Sequence, residues 1–190
     1  VFVSDRSGGE NLWLLSLDGK DTTQLTKGNN NLYVSPEWTP DGDYVIASKS
    51  GPTFGAAKLW MYNVKGGSGM ALTATPAPPA NLKMLGAAYG KDPRYLWFAA
   101  RTGDWDHVVK LEGACAIGPQ YQLYQWDRDN GRTAQMSTRF GSAFRPTLSP
   151  DGTYLVYATR FETKTGLRLR NLATQEESWL AYPVQRDETE

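Results

Sequence analysis

The sequence predicts an all-β chain, a β-propeller of four-stranded antiparallel blades that is incomplete at about three and a half blades. Three observations predict it. A Leu-led segment recurs four times, each followed by another apolar residue thirteen positions on. A Pro-Asp-Gly turn with a Tyr two residues later recurs ahead of such segments. Sustained helical periodicity is absent throughout.

The recurring segments are Leu12-Trp13-Leu14, Leu59-Trp60-Met61, Leu123-Tyr124-Gln125 and Leu167-Arg168-Leu169, answered by Leu25, Leu72, Met136 and Leu180. Between each pair lies a turn: Asp18-Gly19, Lys65-Gly66-Gly67, Asn130-Gly131 and the weaker Ala173-Thr174. Strand, Gly-containing turn and strand is a hairpin signature, which supplies strands c and d of each blade.

Strands a and b come before the hairpin. One copy runs from Ser35-Pro36 to Thr39-Pro40-Asp41-Gly42-Asp43-Tyr44, and another from Arg145-Pro146 to Ser149-Pro150-Asp151-Gly152-Thr153-Tyr154. Proline presets φ, aspartate bonds the backbone two residues on, and glycine takes a positive φ. Strand a therefore ends at the turn and strand b starts at the Tyr. A degenerate copy, Gly90-Lys91-Asp92-Pro93-Arg94, leads to Tyr95. The segment Val1–Arg6 matches Leu155–Arg160, so the first blade is expected to begin within strand b. The blades are expected at 1–26, 33–73, 85–137 and 143–180, within one domain spanning 1–190. Propellers protect their strand edges by closure, so edge-to-edge association with further blades or a second copy is expected.

Composition narrows the chemistry. Twenty Lys plus Arg balance twenty Asp plus Glu in 190 residues, against nucleic-acid binding through bulk charge. No apolar run approaches the roughly 18 residues of a membrane span, so no membrane insertion is expected. One cysteine, Cys115, excludes an internal disulfide, and one histidine, His107, excludes most metallohydrolase sites. The opening Val1-Phe2-Val3-Ser4 has no basic n-region, and the compartment is not legible from it.

Ser149-Pro150-Asp151-Gly152 with Tyr154, an apolar strand ending Ala158-Thr159-Arg160, and the Leu-Trp hairpins together resemble the TolB-like propeller repeat. That repeat occurs in periplasmic propellers and beside the catalytic domains of prolyl oligopeptidase-type and tricorn-type proteases and amidohydrolases. Residues Arg168–Thr174 and Trp179–Asp187 are similar to the propeller part of large amidohydrolase fusions. The resemblance implies a non-catalytic module for protein or ligand recognition, part of a larger bacterial protein, in the periplasm or outside the cell. Its partner is then another protein or a fused catalytic domain. The alternative it implies is the substrate-gating propeller of an amidohydrolase or prolyl oligopeptidase-type hydrolase, with catalysis outside this chain.

No catalytic residue, metal ligand or cofactor site is assigned. No nucleophile elbow exists, since Gly67-Ser68-Gly69 lies in a turn, and no phosphate loop or dinucleotide fingerprint is present. Asp127-Arg128-Asp129-Asn130-Gly131 alternates carboxylates as a calcium loop does, but it falls on a c–d turn and lacks a later bidentate Glu. The insertion Thr102–Tyr121 between strands b and c of the third blade is long for a compact domain. Its Asp104, Trp105, Asp106 and His107 are candidate contacts for a ligand or partner. A decorative surface loop with a solvated His107 is the plainer reading. Arg101 and Arg160, each closing a strand b, join the candidates. With Arg6 they form a conceivable basic ring, which solvated strand ends explain equally well. The face carrying the tight turns is expected to be short and featureless, with binding at the opposite face of long loops.

Overall fold

The computed structural model describes residues 1–51, 57–72, 83–101, 120–138, 141–161 and 164–181. Every element among them is a β-strand. The first sheet holds β1 (Phe2–Ser4), β2 (Asn11–Leu15) and β3 (Thr22–Gln24). The second holds β4 (Leu32–Trp38), β5 (Tyr44–Ser50), β6 (Lys58–Asn63) and β7 (Met70–Ala71). The third holds β8 (Lys83–Tyr89), β9 (Tyr95–Arg101), β10 (Gln122–Asp127) and β11 (Thr133–Gln135). The fourth holds β12 (Phe144–Leu148), β13 (Tyr154–Phe161), β14 (Lys164–Asn171) and β15 (Glu177–Ala181). Each sheet is an antiparallel meander in chain order, and among the described residues the set does not close into a ring. This is a propeller fragment of four blades, the first with three strands.

The thirteen-residue spacing is a hydrogen bond. The amides of Leu25, Leu72 and Met136 donate to the carbonyls of Leu12, Leu59 and Leu123 at 2.8, 2.9 and 2.7 Å. A one-residue change in that spacing shifts the c–d register and turns the apolar side of strand d outward, which the packing forbids. A hydroxyl one position further on completes the pattern in two blades. Thr26 Oγ1 accepts from the Leu12 amide, and Ser137 Oγ from the Leu123 amide, both at 2.9 Å. The fourth copy departs: a bulge places Leu167 opposite Ala181, and Leu180 is 54% exposed.

The Pro-Asp-Gly turns form as their chemistry requires, with one addition. Thr39 and Ser149, just ahead of the prolines, donate their hydroxyls to Asp41 and Asp151 at 2.6 Å and accept the Tyr44 and Tyr154 amides. The same device closes the first c–d turn through Ser16 and Asp18. In the Pro-Asp-Gly turn of the fourth blade Gly152 stands at φ 74°, a left-handed conformation that a Cβ disfavours.

Blades pack face to face through three apolar layers. Leu12, Tyr33, Val45 and Ala47 fill the first interface. Ile46, Leu59, Leu96 and Phe98 fill the second, and Trp97, Leu123, Leu155 and Tyr157 the third. Strict alternation along β5 and β9 serves both neighbours. Val45 and Ala47 turn to the first blade while Ile46 turns to the third, and Trp97 and Phe98 divide likewise. Strands with both faces buried read as continuous apolar runs, as Tyr95–Ala100 does.

The register corrects one sequence match. Val3 lies opposite Leu12 as Ala158 lies opposite Leu167, so Val3 is the counterpart of Ala158 rather than Tyr157. Asp5, not Arg6, thus occupies the position of Arg101 and Arg160. The similar apolar spellings of the two strands hide a slip that only hydrogen-bond partners reveal.

Candidate functional site

At the loop end, Arg101, Gln120 and Tyr121 flank residues 102–119, the part of the Thr102–Tyr121 insertion that lies outside the described residues. Arg101 ends β9 half-buried, its guanidinium 5.2 Å from the centre of the Tyr121 ring. Tyr121 is held on both backbone groups: its amide donates to Ser142 Oγ at 3.2 Å, and its carbonyl accepts from the Ala143 amide at 2.8 Å. Gln120 Oε1 accepts the Gly141 and Ser142 amides at 2.9 and 3.3 Å. Thr159 Oγ1 donates to the Ser142 carbonyl at 2.7 Å, and the Arg160 amide to the Gly141 carbonyl at 2.8 Å. One polar network therefore links the C-terminal foot of the insertion, the crossover into the fourth blade and the end of β13.

Arg101 and Arg160 are brought to this network, and they occupy equivalent positions in consecutive blades. Arg101 is half-buried and Arg160 exposed. The Nε of Arg101 is buried without a hydrogen-bond partner among the described residues. Arg6 does not join them. Its guanidinium lies 5.1 Å from the Phe2 ring centre and 5.0 Å from that of Trp13, covering the outer aromatic face of the first blade. Asp104, Trp105, Asp106 and His107, with Cys115, lie outside the described residues.

The turn end is not featureless, contrary to expectation. A pocket of about 560 Å³ opens there between the third and fourth blades. The physical reason is that two short turns from adjacent blades, Gly90–Pro93 and Asp151–Gly152, line one space together with the apolar side chains Trp97, Leu148 and Leu172. Sequence reasoning missed it because its walls come from strands some sixty residues apart, and each turn read alone is short.

Electrostatics at the turn end is dominated by ordered carboxylates. Asp151 is held down at about 2 by hydrogen bonds from the Ser149 hydroxyl, the Thr153 amide and the Thr153 hydroxyl. Asp127 is also held at about 2, chiefly by Arg94, whose guanidinium meets it through Nε at 2.8 Å and Nη2 at 2.6 Å. The Asp127–Gly131 segment is the β10–β11 turn, with Asp127 bound to Arg94 and to the Asn130 amide group. Among the described residues, no three His, Cys, Asp or Glu side chains gather where a metal ion could be held.

Solved structures with the same fold include TolB from Acinetobacter baumannii, 18% identical, with a TM-score of 0.70 over 98% of this chain and 41% of that one. An oligogalacturonate lyase from Vibrio parahaemolyticus is 14% identical, with a TM-score of 0.56 over 97% of this chain and 62% of that one. A Mycobacterium tuberculosis puromycin-hydrolyzing peptidase is 13% identical, with a TM-score of 0.59 over 90% of this chain and 24% of that one. This chain spans less than two thirds of the length of each. Identities so low speak for the fold: that of TolB and TolB-like β-propellers, some of which are parts of larger hydrolases. No protein-family model and no curated protein matches the sequence.

Proposed function

We propose that this chain is a non-catalytic recognition module of a larger bacterial protein, presenting the Thr102–Tyr121 insertion to a protein partner or ligand. The observation that carries the reading is the root of that insertion. Arg101 packs on Tyr121, and Gln120, Tyr121 and Ser142 tie its exit to the fourth blade. A long loop on a hydrogen-bonded base of a β scaffold is the usual construction of a binding element. Asp104, Trp105, Asp106 and His107 are the proposed contacts, together with Arg101 and Arg160. The likeness to TolB supports a periplasmic or extracellular location.

The test is deletion of residues 104–118, bridged by a short Gly linker. The variant keeps the melting temperature of the parent and loses binding to the partner that the whole protein recruits. Unfolding on deletion would show that the loop is packed core and overturn the reading.

A second reading is favoured by the likeness to a hydrolytic peptidase: a propeller that gates substrate access to a catalytic domain outside these residues. Joining the chain to its neighbouring domains separates the two. Under gating, opening the loop changes the size limit of substrates rather than the affinity for a partner.

A further inference from the structure

The pocket at the turn end belongs neither to the insertion nor to the loop-end network, and its chemistry is specific. Trp97, almost fully buried, forms an apolar floor with Leu148 and Leu172, and Tyr95 forms a side. Gln125 also lines it, and its side-chain carboxamide makes no hydrogen bond to another described residue. Three charged residues stand at the rim: Lys91, Asp92 and Asp151. Asp151 is fixed in orientation by Ser149 and Thr153 and stays ionised. The nearby Arg94 contributes no free positive charge, since Asp127 and Asp129 both pair with it. An apolar floor, an unused amide and a rim with a surplus of carboxylate thus converge in one cavity of about 560 Å³.

We propose that this pocket between the third and fourth blades binds a short peptide segment in which a large apolar side chain is flanked by lysine or arginine. The apolar side chain enters over Trp97 and Leu172, the Gln125 amide pairs with a peptide group, and the basic flanks face Asp92 and Asp151. Charge complementarity decides the occupant: an acidic segment would meet two carboxylates across a groove with one lysine. The inference goes beyond the recognition role proposed for the insertion and stands without it.

The experiment uses the 190-residue chain and two capped hexapeptides, GKFLKG and GEFLEG, followed by tryptophan fluorescence and calorimetry. Saturable binding of GKFLKG is expected below about 1 mM, with GEFLEG at least about tenfold weaker. Lys91→Glu, at an exposed side chain, tightens GKFLKG about three- to fivefold, and Leu172→Arg abolishes binding. Deleting 104–118 leaves the affinity unchanged, so failure here and failure of the insertion reading are separate results. Equal affinity for the two peptides overturns the proposal. So does an absence of saturation, or binding that Leu172→Arg leaves intact in a folded chain.

Discussion

A Cβ placed on Gly86 would stand 3.3 Å from the Cα of Arg145. The two residues sit at the same point of consecutive inner strands, where β8 and β12 each slip register against strand b. Ser35 occupies that point in β4, and all three backbones are left-handed, with φ of 51° at Ser35, 67° at Gly86 and 53° at Arg145. Each inner strand thus carries a bulge with a left-handed first residue, and two of the bulges are in contact. Glycine is required at the one position where the neighbouring backbone closes in.

Replacing the two residues should therefore give opposite results. Gly86→Ala forces a Cβ into a left-handed site against backbone and costs about 2 kcal/mol. Arg145→Gly relieves the same kind of strain, offset by the greater entropy of glycine in the unfolded chain, so stability changes by no more than about 0.5 kcal/mol. Urea denaturation of both variants checks the asymmetry. Equal losses would mean that the bulge conformations are not what glycine serves.

Equivalent repeat positions should differ sharply in energetic weight. Leu123 is fully buried between the third and fourth blades, while Leu167, its counterpart, is 38% exposed. Leu123→Ala is expected to cost about 3 kcal/mol and Leu167→Ala less than about 1 kcal/mol in the 190-residue chain. Chemical denaturation measures both. Similar costs would show that the open face of β13 and β14 is covered in solution.

Acid should destabilise the domain through Asp127 in a defined window. Its carboxyl is depressed from 3.8 to about 2 in the folded chain, chiefly by Arg94. The stabilisation is therefore complete above the unfolded value and is lost as pH falls toward 2. Asp127→Asn flattens the melting temperature between pH 4 and pH 2 relative to the parent. Asp151, depressed by Ser149 and Thr153, keeps part of the slope in the same window. An unchanged profile would show that the Arg94 pair is screened by solvent.

The isolated chain should give only background rates on ester, peptide and cyclic-amide substrates, with or without divalent metal. Turnover that disappears in His107→Ala would contradict the non-catalytic reading, since His107 is the only histidine in the sequence.

Local chemistry made much of the fold legible in the sequence. The Leu12–Leu25 spacing is the register of one hairpin hydrogen bond, and the Thr39–Tyr44 turn is closed by side chains within five residues of one another. Such features depend on chain neighbours, so they are written as spacings. Partners far apart in sequence decided the rest. Leu123 and Leu167 look alike as text, and their burial depends on which sheet lies opposite. Arg6 reads as a basic strand end until the register shows it stacked on Phe2 and Trp13. The turn-end pocket exists only where Trp97 of one blade meets Leu148 and Leu172 of the next. A sequence records what a strand and its turn require; how neighbouring blades meet is fixed by packing between faces that no spacing encodes.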